Sequence, residues 1–211
     1  MLMPYDLLRL RQGLGMASEE FIERYTDPAP HHNGWPLARL KMREDGEGTC
    51  PFLGPEGCTV YPHRPSACRM YPLARATRIE QGAIAERFYL VREAHCKGHG
   101  QGRSWAAQEW MADQGLEPYN AMAEAFMPLL ARPAPDPTSP GGEQKLKMFF
   151  MACYNTDAFR QFVMCSSLAK RLELGPGELE LLATNDQQLL RFAFKWLRLA
   201  LLGEPTLRIK R

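Results

Sequence analysis

Apolar residues recur at helical spacing most clearly toward the C-terminal end. Leu190, Phe194, Leu197 and Leu201 fall at i, i+4, i+7 and i+11, with Leu189, Ala193 and Trp196 beside them. That stripe predicts a helix over 185–202, with Thr184 and Gln187 at capping-box spacing and Gly203 as its stop. A helix is also expected over 156–172. Near the start, Leu7, Leu8 and Leu10 predict a short helix over 4–15 that ends at Gly13 and Gly15. Ser18 is placed to cap a second helix, with Glu19 and Glu20 in its first turn, running to about Tyr25 and stopping before Pro28. Helices over 105–114, capped by Ser104, and over 117–131 complete the set.

Other stretches break this period. Residues 36–43 and the β-rich run 84–92 read as strands. Between them, Pro51, Gly54, Pro55, Gly57, Pro62, Pro65 and Pro72 exclude long regular elements from 46–75. Residues 132–142, Arg-Pro-Ala-Pro-Asp-Pro-Thr-Ser-Pro-Gly-Gly, read as a linker. The expected fold is therefore mainly α with a few short strands. An irregular cysteine-rich section occupies 1–131, the linker 132–142, and a C-terminal helical extension 143–211.

The irregular section holds the chemistry. Cys50, Cys58, Cys68 and Cys96 stand among turn formers, where the backbone can bend to aim several sulfurs at one point. Four thiolates suit a tetrahedral zinc ion or one 4Fe–4S cluster. The gaps of seven, nine and twenty-seven residues contain no Cys-x-x-Cys knuckle, which counts against a zinc ribbon and leaves zinc and iron–sulfur open. The bland alternative is a set of packed thiols. That alternative is the expectation for Cys153 and Cys165, which sit in apolar runs. His95 and His99, beside Cys96, are further donors or ordinary loop histidines. Arg64 and Arg69 bracket Cys68 and would either lower thiol pKa values or form surface ion pairs. Tyr61 and Tyr71 would shield the site or simply pack.

Charge and composition narrow the classes. Lys plus Arg total 26 against 24 Asp plus Glu, a net charge of +2 that predicts neither nucleic-acid nor membrane binding. No run approaches the ~20 apolar residues of a membrane span, and no secretory signal is visible, so the expected location is the cytoplasm, where six cysteines are thiols or metal ligands. Phosphate-loop, nucleophile-elbow and zincin motifs are missing from the sequence, and Gly98, Gly100 and Gly102 do not have dinucleotide-binding spacing. Arg191, Lys195 and Arg198 line one side of the last helix as a solvated face, or, with the basic end at 208–211, as a contact for a protein partner.

The segments Cys50-Pro-Phe-Leu, Gly57-Cys58-Thr-Val-Tyr61 and Arg64-Pro65-x-x-Cys68-Arg69-x-Tyr71-Pro72 together resemble the YkgJ-type cysteine-cluster family, described as a zinc- or iron-chelating domain. Pro4-x-Asp6-Leu7, Leu14-Gly15-x-x-Ser18-x-Glu20-Phe21 and Cys96 with its following glycines extend the likeness over roughly 4–125. Members carry a Cys-x-x-x-Cys-x-x-Cys-Cys cluster before the point at which Met1 stands here; either those ligands are lost or the start codon is assigned too far downstream. The resemblance implies a metal-binding protein with Cys50, Cys58, Cys68 and Cys96 as ligands of zinc or iron. More distantly, it is similar to the cysteine-rich part of flagellin lysine N-methylases, which makes a methylating or redox enzyme the second reading. The third is an interaction module that a metal merely staples.

Overall fold

A computed structural model describes residues 1–100 and 102–210. Its first helix, α1 (Pro4–Leu14), organises the rest. Proline at the first helical position needs no N–H partner, and Asp6 reaches back to accept the Met3 N–H at 3.0 Å. Gly15, at φ 63°, closes the helix in the left-handed conformation that glycine adopts without strain. Leu7, Leu8 and Leu10 are buried, and α1 packs on elements from both halves of the chain.

Next come α2 (Ser18–Tyr25) and an antiparallel pair, β1 (Thr26–Pro30) and β2 (Pro36–Leu40), joined in register Thr26 to Leu40. The cysteine-rich stretch supplies only a two-residue ladder, β3 (Leu53–Gly54) with β4 (Gly57–Cys58), then a 3-10 turn (Tyr61–His63) and α3 (Ser66–Met70). A longer hairpin follows, β5 (Leu73–Glu80) with β6 (Ala83–Leu90). Gln81 and Gly82 turn it, both at positive φ, the arrangement that matches strand twist. Its anchor is Arg75, ion-paired to Glu86 across the hairpin and to Glu124 in the helix α5 described next.

Among the described residues, seven further helices complete the fold: α4 (Ala107–Asp113), α5 (Glu117–Leu130), α6 (Gly142–Tyr154), α7 (Thr156–Cys165), α8 (Leu168–Arg171), α9 (Glu178–Thr184) and α10 (Asp186–Leu202). The mainly helical expectation with short strands holds. The predicted stripe on α10 is buried at Leu189, Leu190, Ala193, Phe194, Trp196 and Leu197. Gly203 ends it at φ 70°.

Three expected caps are wrong, two because another partner takes the side chain and one because the helix starts later. Ser18 Oγ bonds Asn155 and Asp157 across the fold, and Ala17 occupies the cap position of α2. Thr184 Oγ1 donates to the Glu180 carbonyl inside α9, and the α10 cap is Asn185, whose side chain accepts from Gln188 N. Ser104 lies outside the start of α4, where Glu109 caps the Ala106 N–H instead.

Residues 132–142 form hydrogen-bonded turns around Asp136, whose side chain and carbonyl accept from Thr138 and Ser139. They are also tied to the first half. Trp35 Nε1 donates to the Arg132 carbonyl at 2.8 Å, Asn33 to the Leu130 carbonyl at 2.7 Å, and Ala134 N to the Asn33 carbonyl at 2.8 Å. The flanking segments share one apolar core: Trp35 stacks on Phe149 at 4.4 Å, and Phe126 meets both Phe149 and Phe194.

Candidate metal centre

The thiols are carried by loops whose backbone is held mainly by side chains. Between Cys50 and Thr59 the chain doubles back: Leu53 N bonds the Cys50 carbonyl, and Thr59 N the Phe52 carbonyl. Phe52 and Val60 sink into the core and anchor this loop, which leaves Cys50 half-buried and Cys58 exposed. Arg43 reaches over to donate to the Pro51 and Leu53 carbonyls at 2.9 and 2.8 Å.

The next turn is fastened the same way. Arg64, buried, donates to the Tyr61 carbonyl and to Gln114, and its guanidinium stacks 3.8 Å above the Tyr61 ring. Arg69 donates to the carbonyls of Arg64, Pro62 and Gln114. Neither arginine forms an ion pair with a carboxylate among the described residues, so the surface-ion-pair expectation fails for both. Tyr61 is 58% exposed and shields nothing; it serves as the floor under Arg64.

The helix α3, which carries Cys68, is seated on α1. Asp6 accepts the Ser66 N–H at 2.7 Å and its hydroxyl at 3.1 Å. Burial pushes the Asp6 carboxyl above its usual range, against the pull of the Ser66 and Met3 N–H groups. On the other side of α3, Trp110 Nε1 donates to the Met70 carbonyl.

Cys50, Cys58 and Cys68 share one electrostatic neighbourhood. Cys68 keeps an exposed face, yet burial of its thiol raises its pKa, and Cys50, Cys58 and Asp6 raise it further; Arg64 opposes them weakly. Cys96 sits against a different group. The Tyr71 hydroxyl lies 3.4 Å from His95 Nε2, and its pKa is pushed up to about 12 by partial loss of water first and then by the nearby Cys96 and Glu93 side chains. Tyr71 stacks on His95, rings 5.9 Å apart and 12° from parallel. Because Tyr71 directly follows α3, it links Cys96 to the element that bears Cys68. His99 lines a cavity with Cys96 and Trp105, and its Nε2 is buried without a partner.

Residues 1–97 match the family model CxxCxxCC, described as a "putative zinc- or iron-chelating domain". The cysteine-cluster resemblance is therefore borne out over those residues, which include Cys50, Cys58, Cys68 and Cys96. The run that the family name spells, Cys-x-x-Cys-x-x-Cys-Cys, does not occur in this sequence. No curated protein and no solved structure matches the chain. Among the described residues, no helix is long and apolar enough to cross a membrane.

The cysteine donors within residues 1–97 suit the metals named in the description of the matching family model, since thiolate sulfur prefers zinc and iron–sulfur centres. Their arrangement does not amount to a coordination shell. Among the described residues, no three His, Cys, Asp or Glu side chains are gathered closely enough to hold a metal ion. Cys50 and Cys58 each influence the Cys68 thiol, whereas Cys96 influences Tyr71 instead.

The two remaining cysteines divide. Cys153 is fully buried, and burial lifts its thiol well above the usual range, as a core thiol should. Cys165 corrects the expectation: it is the last residue of α7 and is exposed. Sequence reasoning also missed the supports Asp6 and Gln114. Only Asp6 left a signal, as an acidic residue in the first turn of α1.

Proposed function

We propose that this chain binds a zinc ion or an iron–sulfur cluster through the thiolates of Cys50, Cys58, Cys68 and Cys96. The carrying observation is that Cys50 and Cys58 both raise the Cys68 thiol pKa, although Cys50 lies in a loop, Cys58 in β4 and Cys68 in α3. Thiolates crowded together repel one another, and a cation removes that cost. Tyr71 directly follows α3 and its hydroxyl is influenced by Cys96, which supports Cys96 as the fourth ligand. All six cysteines are free, which suits a reducing compartment such as the cytoplasm. When bound, the metal supplies a positive centre that cross-links the loops, and, if it is a cluster, one-electron redox chemistry. The protein's share is to hold the loops ready: Arg43, Arg64 and Arg69 occupy their carbonyls, and Asp6 seats α3.

The test is anaerobic purification with measurement of bound metal, sulfide and absorption. Stoichiometric zinc, or iron with sulfide and broad absorbance near ~400 nm, is the expected result. Cys68→Ser should lower the metal content and make 46–100 sensitive to protease. Wild-type protein with no more metal than Cys68→Ser, or a mutant with unchanged metal and protease resistance, overturns the proposal.

A further inference from the structure

The stripe Arg191, Lys195 and Arg198 does not face open solvent along its whole length. It borders an open cavity of about 500 Å³ lined by α5, α9 and α10. That is within the usual range for small-molecule sites, ~300–1,000 Å³. Leu182 and Phe192, both buried, give the cavity apolar wall.

Its charges are unevenly satisfied. Arg198 is ion-paired with Glu204 at 2.6 Å. Of the two acidic side chains in the lining, Glu124 is held by Arg75 at 2.5 Å, and Glu178 accepts the Gly175 N–H at 2.8 Å. Arg191 and Lys195 are left with no carboxylate within ion-pair distance among the described residues. They stand at i, i+4 on one face of α10, where like charges repel. Arg191 is half-buried, so its guanidinium has already lost part of its water. Pro128, inside α5, has no N–H to offer the Glu124 carbonyl, which leaves an acceptor in the same wall.

We propose that this cavity binds a small amphipathic carboxylate, its head between Arg191 and Lys195 and its apolar body against Leu182 and Phe192. A single negative charge matches two unpaired cations better than a phosphate dianion does, because Glu124 and Glu178 border the same space and repel a second charge. The apolar wall selects for a hydrocarbon body, which a bare inorganic anion lacks.

Calorimetric titration of the full-length protein tests this with octanoate, 1-octanol and inorganic phosphate. Octanoate should bind at least about tenfold tighter than octanol, the size of one charge-assisted contact, and phosphate should bind more weakly than octanoate. Arg191→Gln with Lys195→Gln should abolish the octanoate advantage without lowering the thermal unfolding temperature of the free protein, since the repulsion between the two cations is removed. Lys195→Gln alone, at an exposed position, should weaken octanoate about threefold or more. The proposal is overturned if octanoate does not bind, if octanol or phosphate binds as tightly, or if both variants bind octanoate like the wild type.

Discussion

Replacing Gly13 by alanine is the most informative small change in this molecule. Gly13 lies in the last turn of α1, in ordinary helical backbone, so alanine has no conformational objection there. Helix propensity alone predicts a gain of about 1 kcal/mol. Packing predicts the reverse. A Cβ built at Gly13 falls 2.8 Å from the Cβ of His63 and closer still to Cγ and Cδ2 of its ring. Carbon atoms rest about 3.5–4.0 Å apart, so His63 has to retreat by about 1 Å. Rotating the ring does not suffice, because the Cβ clashes as well. The 3-10 turn Tyr61–His63, between Cys58 and Cys68, must move with it. Overpacking of this kind costs about 1–3 kcal/mol. Set against propensity, the net loss is up to about 2 kcal/mol, which lowers the melting temperature by up to about 8 °C. Urea and thermal unfolding followed by circular dichroism measure it. In a His63→Gly background all three clashing atoms are gone, and the same Gly13→Ala change should become neutral or stabilising. A stabilising effect in the wild-type background, or an equal loss in both, refutes the argument.

Two other changes follow from the packing. Trp35→Phe keeps the ring stacked near Phe149 but removes the Nε1–H bond to the Arg132 carbonyl; it should cost about 1–3 kcal/mol in chemical denaturation, and protease should then cut 132–142 more readily. Asp157 has a partly buried carboxyl whose pKa is nevertheless held below its ordinary 3.8 by the Ser18 N–H, by Arg11 and by the Ser18 hydroxyl. A depressed folded-state pKa gives stability that is present above the unfolded value and lost as pH falls through the folded one. Asp157→Asn should therefore be less stable at neutral pH, and should lose less stability than the wild type as pH falls below about 4; identical pH profiles would count against this.

The sequence revealed elements whose signal is local and hid those whose signal is not. The α10 stripe was legible because one face of that helix is buried and the opposite face is polar. Helix α6 went unread because Met148-Phe149-Phe150-Met151 is apolar without a period, a run that meets neighbours on more than one side. Two of the caps, Ser18 and Thr184, failed for a common reason. A short polar side chain can serve its own helix or a distant partner, and spacing does not tell which: Ser18 bonds residues 137 and 139 positions away. The candidate thiols were legible from their company of prolines and glycines. Their support was not, because Asp6 holds α3 across 60 residues, and no local pattern encodes that pairing.

The arginines around the thiols show what such a loop demands. Pro51, Pro55, Pro62, Pro65 and Pro72 contribute five carbonyls and no N–H between residues 50 and 72. A segment so short of donors cannot satisfy its own backbone, and a carbonyl left unpaired is costly where it is partly shielded from water, as those of Tyr61, Arg64 and Gln114 are. Guanidinium groups make up the deficit, because each offers five N–H donors in a rigid fork. Arg43 serves the Pro51 and Leu53 carbonyls, Arg64 the Tyr61 carbonyl, and Arg69 those of Pro62, Arg64 and Gln114. An arginine beside a cysteine invites an electrostatic reading, yet the Arg64 charge is the weakest of the influences on Cys68 named above. These cations fix where the backbone runs, and through it where the sulfurs stand. Lysine, with one ammonium and no fork, retains the charge but cannot reach two or three carbonyls in one plane, so charge alone does not account for the choice of arginine at 43, 64 and 69.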